Sequence, residues 1–107
     1  MSSAFVSGNW LVKDGAQTSF VEAWTNFLEW TSHTVSGLRW AMLLRDGDDS
    51  RHFISMAEWE TPAQRDAWRN HPGFAAHLGP CRTLCDEFRG ADYALVASVG
   101  ADRLPST

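Results

Sequence analysis

Asn9, Trp68, His71 and His77 are the residues of this chain whose types and spacing suit chemistry: one amide, one indole and two imidazoles. An imidazole can ligate iron or move a proton, an indole is a flat hydrophobe with a single N–H donor, and an amide both donates and accepts. Three of the four lie in the stretch from Trp59 to His77, where two indoles and two imidazoles surround a Pro72-Gly73 break. Trp68 and His77 are nine positions apart, about two and a half turns of an unbroken helix, which would put them on opposite sides. Only the break allows both to face one cavity, and the site therefore requires it. Each residue also has a purely structural reading: Asn9 as an amide bonded locally, His77 as a surface or core histidine, and His71 as a cap or turn residue. No P-loop, dinucleotide glycine fingerprint, zincin helix or readable Ser-His-Asp arrangement is present.

The elements that must carry these residues are legible in the hydrophobic periodicity. Residues 4–12 alternate Phe5, Ser7, Asn9 and Leu11 against Val6, Gly8, Trp10 and Val12, the period of a strand. Asn9 then shares a face with apolar residues, and if that face is buried its amide needs a partner. After Asp14-Gly15, Ser19 and Glu22 form a capping-box pattern ahead of Phe20, Trp24, Phe27 and Leu28, which predicts a helix running to near His33. Strands follow over 38–45, with Trp40, Met42 and Leu44 on one face, and over 51–60, joined by the acidic turn at 46–50, which reads as a solvated hairpin loop. Thr61 is an N-cap with Pro62 at the first helical position and Gln64 three residues on. Helical pieces are expected from there to the break, over 74–78 before Gly79-Pro80, and over 81–87, where Cys81 and Cys85 would share a face as reduced, partly buried thiols. The last strand is expected over 91–99 and a frayed tail over 100–107.

The order β-α-β-β-α-β predicts an α+β, ferredoxin-like fold: a four-stranded antiparallel sheet with its helices on one face, in one domain spanning 1–107 with a core at about 4–99. The second sheet face needs a cover, and a second copy can supply it through Val6, Trp10, Ile54 and Met56, so a homodimer is expected. With a formal charge of −4 and Lys13 as the only lysine, the chain has no basic patch for nucleic acid. No apolar run is long enough for a membrane span and the N-terminus lacks a secretory pattern, which makes cytoplasmic residence the expectation. Six Trp and six Phe in 107 residues suit either a packed core or the flanks of a planar ligand.

The βαββαβ layout, together with Ala57-Glu-Trp59-Glu, Ala67-Trp68 and His71-Pro-Gly-Phe-Ala-Ala-His77, resembles the antibiotic biosynthesis monooxygenases, small dimeric α+β barrels, over nearly the whole chain. Within that family it is most similar to the haem-degrading monooxygenases of the IsdG and MhuD type, which use an Asn on the first strand, a Trp on the second helix and a His after it. By that resemblance His77 is the axial ligand to haem iron, Asn9 bonds on the distal side, Trp68 presses the porphyrin out of plane, and Phe74 joins them in holding the haem, which is substrate and cofactor at once. The same motifs also resemble relatives that use O2 directly on a quinol or anthrone without a cofactor. Both readings need an apolar, aromatic-walled cavity that excludes water and a few polar groups to steady a developing oxyanion. A third class, a non-enzymatic ligand-binding or assembly module, follows from the many tasks this fold performs, with Trp68 and His77 as core residues.

Overall fold

A computed structural model describes residues 3–100. Its elements are β1 (Ala4–Val12), α1 (Gln17–Thr34), β2 (Leu38–Arg45), β3 (His52–Trp59), α2 (Pro62–Arg69), α3 (Phe74–Thr83) and β4 (Cys85–Tyr93). The four strands form one antiparallel sheet in the order β2-β3-β1-β4, the ferredoxin-like arrangement with the two long-range strands at its centre.

The inner face of β1 carries Val6, Gly8, Trp10 and Val12, all buried, and that of β3 carries Phe53, Ala57 and Trp59. Helices cover this face: Phe20 of α1 packs against Trp10 and Phe53, with ring centroids 5.2 Å apart in each pair, and Trp68 of α2 packs against Trp59 at 5.1 Å. Apolar residues at three- and four-residue intervals along α1, from Phe20 through Ala23, Trp24 and Phe27 to Thr31, give it a stripe wide enough to do this. The other sheet face holds Phe5, Trp40, Met42, Leu44, Ile54 and Met56 and carries no helix among the described residues. The expected interface set is thus half corrected. Ile54 and Met56 lie on the open face, whereas Val6 and Trp10 are 8% and 3% exposed beneath the helices.

Local chemistry explains most boundaries. The β2–β3 hairpin is held by its acidic residues, since Asp46 accepts from the Asp48 N–H at 2.8 Å and Asp49 from the Arg51 N–H at 3.0 Å. Thr61 caps α2 as expected, its hydroxyl accepting from the Gln64 N–H at 3.2 Å, with Pro62 in the first turn. The break at Pro72-Gly73 separates α2 from α3. At the other helix start, α1 begins at Gln17 behind an Ala16 that provides no side-chain cap, two residues before the predicted Ser19 box. The turn at Gly15, with φ +84, and the Ala16 N–H to Lys13 carbonyl bond of 3.0 Å deliver the chain into the helix instead.

The C-terminal third departs further from expectation. Gly79-Pro80 does not end α3, which continues to Thr83 because Leu78 and Cys81, on either side of the proline, are both buried in the core. Tertiary packing here overrides a local breaker. Cys85 consequently starts β4 rather than sharing a helix with Cys81, and β4 ends at Tyr93, where the predicted strand had hardly begun. Ala94 to Val99 has no regular structure, and Leu95, Val96 and Val99 are exposed. Positions 101–107 of the predicted tail lie outside the described residues.

Candidate active site

Between the inner sheet face and the three helices lies a cavity with about 90 Å³ of free volume. Its floor is hollow because small side chains fall together in register: Gly8 pairs with Ser55 on one side and Gly90 on the other, and Ala57 with Ala41. Its walls are aromatic, built from Trp10, Trp24, Phe27, Trp68, Phe74 and Phe88. Arg69 and Gly90, both exposed, line it where it meets solvent.

Trp68 is the central wall residue. It is 7% exposed, with Phe74 edge-on at 4.9 Å and Phe27 at 5.8 Å. Its indole N–H donates to the Thr31 hydroxyl at 2.9 Å, and that hydroxyl donates to the Phe27 carbonyl at 2.9 Å. Thr31 is fully buried, so this chain of bonds fixes the indole plane from behind. On the floor, the Trp10 indole N–H donates to the Ser55 hydroxyl at 3.0 Å. Gly8 makes that bond possible: a Cβ there would stand 2.6 Å from both Ser55 Oγ and Trp10 Nε1. A Cβ at Gly90 would meet its nearest neighbour, Phe88, at 3.5 Å. Trp59, fully buried behind Trp68, finds no partner for its own N–H among the described residues.

At the mouth, Arg69 forms a two-pronged ion pair with Asp92 of β4, one of its bonds 2.9 Å long. The Asp92 hydrogen bond raises the Arg69 pKa, and the Arg69 hydrogen bond holds the Asp92 carboxyl below its ordinary value of 3.8. A depressed carboxylate contributes stability that is present above its unfolded pKa and is lost as pH falls through the folded one. The pair is surface-exposed and worth ~0.2–1 kcal/mol. Asp92→Asn should therefore lower the melting temperature by a few degrees at pH 6–8, with the two proteins converging below pH 3 in a thermal melt series. A difference that persisted at acid pH would show that the clasp acts through something other than charge.

The cavity brings together Trp68 and Phe74 but not the other two predicted residues. Asn9 is exposed on the opposite sheet face, where its amide oxygen lies 2.7 Å from His52 Nε2, and His52 Nδ1 lies 2.9 Å from Asp46. That histidine bond is the main reason the Asp46 carboxyl is lowered. The strand period placed Asn9 correctly with Phe5 and Leu11; the face they share is the open one.

His77 is exposed outside the cavity, its ring stacked on Trp30 at 4.1 Å and 9° and its Nδ1 2.9 Å from the Gly73 carbonyl. His71 accepts from the Gly73 N–H at 2.9 Å and acts as a turn residue. The Pro72-Gly73 break therefore presents both imidazoles to Trp30 instead of turning His77 toward Trp68. Cys81 and Cys85 are free thiols pushed up to about 12 and about 11, mainly by burial, which keeps them protonated and unreactive at neutral pH.

These placements do not fit a haem. An iron ligand at His77, a distal Asn9 and a porphyrin against Trp68 would have to meet in one space, yet they occupy the helix surface, the open sheet face and the interior.

What sequence reasoning missed is the floor. Ser55, Gly8 and Ala57 sit among Phe53, Trp59, Val6 and Trp10 on inward strand faces, and that alternation of very small with very large side chains was the available signal.

Comparison with known proteins agrees with this architecture. The chain is similar to SnoaB, a cofactor-independent oxygenase from Streptomyces nogalater, with a TM-score of 0.84 and 17% identity over 94% of this chain and 99% of that one. A conserved protein from Methanosarcina mazei Go1 superposes with a TM-score of 0.75 and 16% identity, covering 87% of this chain and 92% of the other. No curated protein matches in sequence. At such identities the likeness is one of fold. Residues 4–79, however, match the profile of the antibiotic biosynthesis monooxygenases, and the chain belongs to that family.

Proposed function

We propose that this protein is an O2-dependent monooxygenase that oxidises a planar, electron-rich anthrone- or quinol-type substrate without a cofactor. The observation that carries the reading is the cavity, an aromatic-walled slot over a small-residue floor with Trp68 and Phe74 as its walls. Such a slot takes one edge of a flat molecule between ring faces and keeps water from it. The fold shared with a cofactor-independent oxygenase supports the same reading.

Neither a carboxylate nor an imidazole lines the cavity among the described residues, so the substrate must supply its own acidity. An anthrone or quinol ionises to an extended anion, which passes one electron to O2. The resulting substrate radical and superoxide combine at a ring carbon to form a peroxide. Loss of hydroxide and the remaining C–H proton then leaves a ketone. For an anthrone the balance is a CH2 plus O2 giving C=O plus water; for a quinol a ring C–H plus O2 gives the hydroxyquinone plus water. The protein's share is to hold the ring edge, exclude solvent and stabilise the anion electrostatically.

The reading includes a homodimer. The open sheet face with Trp40, Met42, Ile54 and Met56, together with exposed Leu95, Val96 and Val99, offers the apolar surface that a second copy would cover.

Oxygen uptake with a dithranol-like substrate provides the test. Uptake should match quinone formation one to one, persist in chelator, and rise with pH through the substrate's own ionisation. No uptake, or loss of uptake in chelator, would overturn the proposal. Hemin titration of the same protein should give no Soret shift that depends on His77.

A further inference from the structure

We infer that Ser55 is the cavity's oxyanion donor, holding the oxygen of the substrate anion through a hydroxyl that Trp10 polarises; this rests on the function proposed above. Three observations carry it. Ser55 lines the floor of the cavity, and its side chain alternates with those of Phe53 and Ala57 onto the inner face. It is the one lining hydroxyl that does so among the described residues, since Ser7 pairs with Met56 and Ala91 on strand positions of the opposite face.

The second observation concerns where the hydroxyl's hydrogen goes. Ser55 Oγ accepts the Trp10 indole N–H at 3.0 Å, which occupies a lone pair and leaves the O–H free. No acceptor among the described residues takes it. An O–H that already accepts a hydrogen bond is a stronger donor, because successive bonds polarise one another in a low-dielectric site. An indole has no acceptor of its own, so the relay runs in one direction, from Trp10 through Ser55 into the cavity.

The third is the space kept for this pair. The Gly8 position cannot carry a Cβ without coming within 2.6 Å of both bonded atoms, while Ala57 and Ala41 keep the neighbouring floor low. The other polar groups nearby are committed: the Trp68 N–H to Thr31, and Arg69 to Asp92. An anion entering edge-first between Trp68 and Phe88 thus finds an uncommitted donor at the floor. Ser55 would touch the substrate and is a catalytic residue in that sense.

The test uses a visible probe as well as turnover. The product-like dye 1,8-dihydroxyanthraquinone changes colour on ionisation, so the pKa of the bound dye can be read by absorbance. Bound to the native protein it should ionise at a lower pH than in solution. Ser55→Ala should move the bound ionisation back up by about one to two pH units and lower kcat on a dithranol-like substrate about 10²-fold, the usual loss for one oxyanion donor, with KM changing much less. Ser55→Thr, which keeps a hydroxyl, should restore most of both.

Thermal melts identify any variant that fails to fold, and Gly8→Ala then provides a second route, displacing Trp10 from Ser55 with Ser55 intact and raising the bound ionisation similarly. If the native protein neither binds the dye nor consumes oxygen, the parent reading falls. If it does both, and Ser55→Ala leaves the bound ionisation and kcat unchanged, the assignment of Ser55 is overturned.

Discussion

Trp68→Ala should lower stability by about 3–5 kcal/mol, the range for deleting a buried aromatic from a packed core. At ~4–8 °C per kcal/mol for a domain of this size, the melting temperature should fall by more than about 12 °C. The size follows from the neighbours: Trp68 holds Trp59, Phe27 and Phe74 apart, with ring centroids at 4.9–5.8 Å, and no other side chain can fill the space of an indole. Trp68→Phe separates the two roles of the residue. It keeps a ring in the wall and removes the N–H, so most of the stability should remain. A planar dye should lose its affinity with alanine and keep most of it with phenylalanine, measured well below either melting point. A melting temperature within about 5 °C of native for Trp68→Ala would mean that the wall collapses freely into the cavity and is not a fixed surface.

The second large effect is expected at Thr31, which never contacts the cavity. Thr31→Val preserves shape but leaves the Trp68 N–H facing a methyl group, and an orphaned buried donor costs about 1–3 kcal/mol. The Phe27 carbonyl loses a donor in the same change. Thr31→Ser keeps both hydrogen bonds and gives up one methyl, for ~0.5–1.5 kcal/mol. In the double variant Thr31→Val with Trp68→Phe, donor and acceptor disappear together, so the combined loss should be smaller than the sum of the single ones. Chemical denaturation of the four proteins measures this coupling. Equal costs for valine and serine at position 31 would show that the hydroxyl does not hold the indole.

The sequence made much of this architecture legible, and the failures share a cause. β1, β2 and the start of α2 are set by local chemistry: alternation in the strands, and Thr61 with Pro62 at the helix start. The face of β1 that turns inward is not local. Phe5 and Leu11 are as apolar as Val6 and Trp10, so the period was readable and its sign was not. β4 was misplaced for a related reason. Residues 93–99 alternate more cleanly than Cys85–Tyr93, but it is the charged stretch that pairs with β1, where Phe88 meets Trp10 and Gly90 meets Gly8. A propensity count cannot see that complementarity.

The predicted site divides along the same line. Trp68 and Phe74 stand in the cavity wall, whereas the expected meeting of Asn9, Trp68 and His77 needed long-range geometry that spacing does not contain. The resemblance that supplied it named the family correctly, and this chain arranges those three positions differently from a haem pocket.

The two floor glycines give the cavity unequal freedom to change shape. Next to Gly8 no methyl group fits, since the nearest atoms would lie at 2.6 Å, whereas at Gly90 one enters at an ordinary contact distance of 3.5 Å. One flank of the slot is therefore locked by its hydrogen bond, and the other is open to carbon-by-carbon adjustment. In a lineage or a laboratory selecting for new substrates, variation in cavity shape would be written on β4, while the flank where Trp10 of β1 bonds Ser55 of β3 stays fixed.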